Sequence, residues 1–176
     1  MRVYLVASFM LITIGLTIAC NSECETLTAY YDKCITLLTG KHALNRTIAQ
    51  NLLGHLTIVT RNIMNNLETT LNAIITSATD VADLDKWCDR MANILGVFAD
   101  KMADFIDECI LSGDQQIITF CTVISRHVLR VLTGIHESCN GLDFDEFDEE
   151  LQQKVQSVIE KCHDIIVTIE GSGLSL

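Results

Sequence analysis

Cysteine is the residue whose number and placement could do most chemistry in this chain. There are eight. Seven of them, Cys24, Cys34, Cys88, Cys109, Cys121, Cys139 and Cys162, follow an N-terminal stretch that has the layout of a secretory leader. Residues 1–20 carry one cation, Arg2, then an apolar run from Val3 to Ile18, then small residues. Such a stretch is a signal peptide by layout, too short and too early for a membrane span. A chain routed through an oxidising compartment keeps its cysteines as disulfides, so those seven are expected to be bridged. Cys20 joins them if cleavage follows Ala19, and is lost if it follows Cys20. Bonded cysteines have Cα atoms about 4.4–6.8 Å apart, which excludes Cys121 with Cys139 on one helix. The bridges must therefore join different helices, and spacing leaves their pairing open. Zinc is not suggested, because there is no Cys-x-x-Cys pair and the five histidines are scattered.

Other groupings tempt and fail. Cys162-His163-Asp164 has the order of a secreted phospholipase A2 helix, but the cysteines and glycine-rich calcium loop of that family are missing. Asp143, Asp145, Glu146, Asp148, Glu149 and Glu150 suggest calcium. Counted from Asp143, however, the glycine and glutamate of an EF-hand loop fall on Asp148 and Lys154. Carboxylates in the first turn of a helix suffice to explain the run. Ser125 and His127 are two residues apart on one helix and point apart, so they make no triad. No catalytic residue, metal or cofactor is expected. Asn45-Arg46-Thr47 is an N-glycosylation acceptor, placed where the chain should be exposed.

The elements that must carry these residues are helices. The chain of 176 residues has no proline, so nothing interrupts a helical ladder. Apolar periodicity predicts five helices: about Glu23 to Leu38, a long one from Ile48 to Ala78, Ala82 to Leu111, Asp114 to Ser138, and one following the acidic run through Ile169. In the second, Ile48, Leu52, Leu56, Val59, Ile63, Leu67, Leu71 and Ile74 form the expected inner stripe. Its outer face is Asn51, Thr60, Asn62, Asn65, Asn66, Thr69, Thr70 and Asn72, uncharged throughout. The fourth is the most apolar and reads as the central helix. It is not a membrane span, because Arg126 and Arg130 sit inside it. The expectation is all-α, with residues 21–176 forming one domain stapled by inter-helix disulfides.

The net charge of −11 disfavours nucleic acid and anionic membranes, both of which require basic patches. What remains is a surface that meets another protein, or an apolar cavity for a small hydrophobic ligand. Phe98, Met102, Phe105, Phe120 and Ile124 are the candidate lining.

Three runs together carry a resemblance: Leu84-Asp85-Lys86-Trp87-Cys88, Ile118-Thr119-Phe120-Cys121 and Glu137-Ser138-Cys139. Over about Leu84 to Cys162 the chain resembles the secreted helical hemolymph glycoproteins of insects, the twenty-seven-kilodalton type. The additional cysteine of that family has no counterpart over residues 93–98. The resemblance implies an extracellular-fluid glycoprotein without enzymatic activity.

Overall fold

A computed structural model describes residues 22–40, 45–77 and 81–176. The leader 1–20, Cys20 and Ala78 lie outside the described residues. Among those described there are five α-helices and no strand: α1 (Ser22–Thr39), α2 (Arg46–Thr76), α3 (Val81–Leu111), α4 (Gln115–Asn140) and α5 (Glu149–Glu170). The starts are chemically marked. Asn45, Asp114 and Asp148 each take a backbone N–H of the first turn onto a side-chain oxygen, capping α2, α4 and α5. At the α3–α4 turn Gly113 adopts φ 63°, a left-handed conformation that favours glycine.

The closest packing follows a closed circuit, α1 to α3 to α5 to α4 to α2 and back to α1. Consecutive helices run antiparallel, so α1, α3 and α5 point one way and α2 and α4 the other. Cross-helix ion pairs mark the parallel neighbours. Glu23–Arg90 and Asp32–Lys101 step forward along both α1 and α3, while Lys154 of α5 meets Asp85 and Asp89 near the start of α3. Arg46–Asp114 joins the beginnings of α2 and α4, where Gln50 also donates to Gln116, and Glu68–Arg130 lies further along.

Three expectations change. α3, not α4, packs against all four other helices. Its buried set, Leu84, Trp87, Cys88, Met91, Ile94, Leu95, Phe98, Met102, Phe105, Ile106 and Cys109, covers a wider arc than one stripe. α4 is long and apolar enough to cross a membrane by length and composition, yet it leaves Arg126, Arg130 and Thr133 at the surface.

In α2 the inner stripe is rotated at its N-terminal half. Ala49, Leu53 and Thr60 are buried, and Ile48 is 53% exposed. At about 100° per residue Ala49 and Thr60 fall within roughly 20° of Leu67, whereas Ile48 and Val59 are turned about 100° and 80° away. Thr60 therefore belongs to the core, not to the outer face.

The acidic run is also split. Phe144–Glu146 forms a 3-10 turn capped by Asp143, and only Glu149 and Glu150 occupy the first turn of α5. Phe144 and Phe147 meet edge to face there, and Gln152 donates from Nε2 to both of their carbonyls.

Candidate functional site

Tyr31 is the centre of the most distinctive chemistry in the core. It lies on the inner stripe of α1 with Cys24, Leu27 and Cys34, and no part of it is exposed. Its ring stands edge-on to Phe98 at 6.1 Å and to Phe105 at 5.2 Å, the favoured geometry for aromatic quadrupoles. Its hydroxyl donates to Met102 Sδ at 3.7 Å, a weak acceptor, and faces Thr60 Oγ1 across the α1–α2 contact. Thr60 Oγ1 is sealed from water without a well-formed hydrogen bond. Burial pushes the Tyr31 phenol well above the usual tyrosine range, so it is neutral.

The expected lining residues divide. Phe98, Met102 and Phe105 come together, with Tyr31 packed among them. Ile124 is buried on α4. Phe120 is half-buried and lines a surface groove between α2 and α4 with Gln50, Thr57, Gln116, Thr119 and Val123.

All seven described cysteines are buried, and Cys34, Cys88, Cys109, Cys121, Cys139 and Cys162 stand as thiols. Six of them gather in two groups. Cys34, Cys109 and Cys121 lie within electrostatic reach of the Tyr31 hydroxyl. The Cys109 and Cys121 thiols are neighbours between α3 and α4, while Cys121 Sγ sits 3.9 Å from Ser125 Oγ. Cys139 lies between Cys88 and Cys162 in a second group where α3, α4 and α5 meet.

Burial pushes the thiols of Cys34, Cys88 and Cys139 up to about 12, and Cys162 higher still. Donation to Cys121 holds Cys109 up, and the same bond lowers Cys121. The raised thiols, Cys34, Cys88, Cys109, Cys139 and Cys162, are poor nucleophiles in the folded chain. Among the described residues no three His, Cys, Asp or Glu side chains are placed to hold a metal ion.

The histidines are dispersed. His163 faces His136 across α4 and α5, with ring centroids 6.1 Å apart. Ser125 points towards Cys121, while His127 turns to the Arg61 backbone of α2. His127 Nε2 is sealed from water with no properly formed hydrogen bond. Its pKa is lowered, first by burial and then by Arg130 and Arg61, against a smaller opposing pull from Glu68 and the Arg61 backbone. With the folded value below the unfolded one, the unfolded state binds the proton more readily. This contribution is complete at neutral pH and is lost as pH falls through about 6.5. We expect a melting temperature that declines between pH 7 and pH 5, and a shallower decline in His127→Gln. Thermal melts across that range check it; equal slopes would contradict it.

Sequence reasoning missed the role of Tyr31 and the burial of Thr60. Phase along α2 could have placed Thr60, but nothing local to α1 shows that a phenol from one helix stands against Phe98 and Phe105 of another.

Asn45 is exposed, and its Oδ1 caps α2 by accepting from Ile48 N at 3.2 Å. Compared with known protein families, curated proteins and solved structures, the chain has no match in any of the three.

Proposed function

We propose that this is a secreted, N-glycosylated helical protein of extracellular fluid that binds another protein through its surface and carries out no catalysis. The observation that carries the reading is the outward face of α2. Asn51, Ile58, Asn62, Asn65, Thr69 and Asn72 are all exposed there, and Ile58 is 58% exposed. These six side chains are uncharged in a chain whose net charge is −11, with exposed Arg61 at their edge. Amides and an isoleucine cost less to desolvate than carboxylates, and amides can both donate and accept across an interface. A photo-crosslinking residue at Asn65 should give one discrete adduct in the source organism's extracellular fluid, lost on Ile58→Lys. Adducts that persist unchanged in Ile58→Lys would overturn the assignment of this face.

A second reading, carriage of a small apolar ligand, draws on the gathering of Phe98, Met102 and Phe105. The packing of Tyr31 among them favours a solid core instead.

The glycan belongs to the same proposal. Capping uses Asn45 Oδ1, while N-glycosylation attaches at Nδ2, so the two are compatible. Thr47→Ala and Asn45→Asp both remove the acceptor, and both leave an oxygen in place for the cap. Each should run smaller by one glycan after secretion from a eukaryotic host, with an unfolding midpoint matching enzymatically deglycosylated wild type. Asn45→Ala should be less stable by about 1 kcal/mol, from loss of the cap. An unchanged gel mobility for Thr47→Ala would show that the site is unoccupied.

A further inference from the structure

We propose that His136 of α4 and His163 of α5 form an exchangeable site for a late first-row divalent metal ion, zinc, nickel or copper, with water completing the coordination. The two residues are far apart in the chain. Only the packing of α4 on α5 brings their rings together, 6.1 Å between centres and 34° between planes. That spacing suits one shared ion. A metal bonded to an imidazole nitrogen at about 2.0–2.1 Å stands about 3.2 Å from the ring centre. Two ligating rings therefore have centres about 5.3 Å apart at a tetrahedral angle and about 6.4 Å apart when opposed. His136 and His163 fall between these limits. Rotation about χ2, a broad torsion in histidine, can turn one nitrogen of each ring towards the common point without moving either helix.

The frame beneath the pair is firm. Ile135, Cys139, Ile159 and Cys162 bury the inner sides of α4 and α5 at this level. His136 is half-buried and His163 exposed, so the rings lie on the outward side of the helix pair, open to solvent. Asn140, one turn after His136, donates from Nδ2 to the His136 carbonyl at 3.0 Å. The same nitrogen stands 3.3 Å from Nδ1 and 3.4 Å from Nε2 of the His136 ring and braces it. Exposed carboxylates within a turn, Glu137, Glu160 and Asp164, join the net charge of −11 in favouring a cation, against one lysine, Lys161.

Two imidazoles, with no third His, Cys, Asp or Glu placed to ligate among the described residues, set the class of ion. Imidazole suits zinc, nickel and copper, whereas calcium and magnesium take oxygen ligands. Copper should bind most tightly of the three, following the general order of divalent affinities. An ion held by two side chains, with water in its other positions, exchanges with the surrounding fluid. The thiols of Cys139 and Cys162 are buried and take no part. The site rests on the packing of α4 and α5 alone, independent of secretion, of the glycan and of the α2 face.

The full chain, secreted by a eukaryotic host without a histidine tag and stripped of metal with EDTA, is titrated with zinc chloride by isothermal titration calorimetry. Mildly alkaline pH keeps imidazoles neutral and able to ligate. The expected result is one ion per chain, released again by EDTA, with calcium giving no heat. His136→Gln and His163→Gln should each weaken zinc binding about tenfold or more, because the second imidazole no longer adds an intramolecular bond. His55→Gln, on α2, should bind as wild type does. Pulsed electron paramagnetic resonance of the copper form should show two coupled imidazoles in wild type and one in either variant of the pair. Circular dichroism matching wild type shows that the variants are folded, and the copper spectrum of wild type decides the matter without them. No zinc binding by wild type, a single imidazole in its copper spectrum, or unchanged zinc affinity in either folded variant overturns the proposal.

Discussion

Tyr31→Ala should destabilise the protein by about 3–5 kcal/mol, the range for removing a large buried aromatic side chain. The ring makes edge contacts with Phe98 and Phe105 and has no exposed surface, so its loss leaves a cavity walled by α1 and α3. Tyr31→Phe should change stability by less than about 1 kcal/mol. The hydroxyl donates to a thioether and faces a threonine, so little hydrogen-bond energy is lost, and a buried polar group is removed. Urea unfolding of the two variants separates the contributions of ring and hydroxyl. The Tyr31→Ala cavity should also accept benzene, raising the melting temperature of that variant and not of wild type, since a dry apolar cavity of such size binds small aromatics. Equal losses in the two variants would mean that the hydroxyl, not the ring, holds this part of the core.

Trp87→Ala should cost a similar amount, about 3–5 kcal/mol. Trp87 is 3% exposed, and its Nε1–H donates to the Leu67 carbonyl at 3.0 Å. That bond ties the first turns of α3 to α2, a helix pair that packs sparingly elsewhere. Trp87→Phe keeps most of the apolar contact and gives up the hydrogen bond and part of the volume, for about 1–2 kcal/mol. As the chain's one tryptophan, Trp87 also reports its own environment. Native emission should be at the blue end of the range and shift to the red in the same urea transition that unfolds the helices by circular dichroism. A red shift that precedes the loss of helix would mean that the α2–α3 contact opens independently.

Helix number and type are legible in the sequence because apolar residues recur at three and four over long proline-free stretches. The ends of α1, α3 and α4 fall within one or two residues of the expected positions for the same reason. The rotated stripe of α2 was readable in principle, since strict phase from Leu67 selects Ala49 and Thr60. Hydrophobicity alone selects Ile48 and Val59 instead. The circuit of helices is another matter. α4 is the most apolar stretch, but which helix is central depends on how many neighbours it meets. That follows from the wide arc of α3 around Met91, Ile94, Leu95 and Phe98, and from pairs such as Arg90 with Glu23. For the same reason the sequence could place Cys109 and Cys121 on inner stripes without showing that they are neighbours. Asp143 and Glu146 were legible as acidic and helix-starting, but Phe144 and Phe147 turn that segment into a separate 3-10 turn.

Native mass spectrometry of the protein secreted from an oxidising eukaryotic host, before and after organic extraction, tests the central claim most directly. The predicted mass is that of the chain without its leader, plus one N-glycan, less two hydrogens for each disulfide, and unchanged on extraction. A further mass that disappears into the organic phase would contradict the account, making Phe98, Met102 and Phe105 the walls of a carrier site and not the packing around Tyr31.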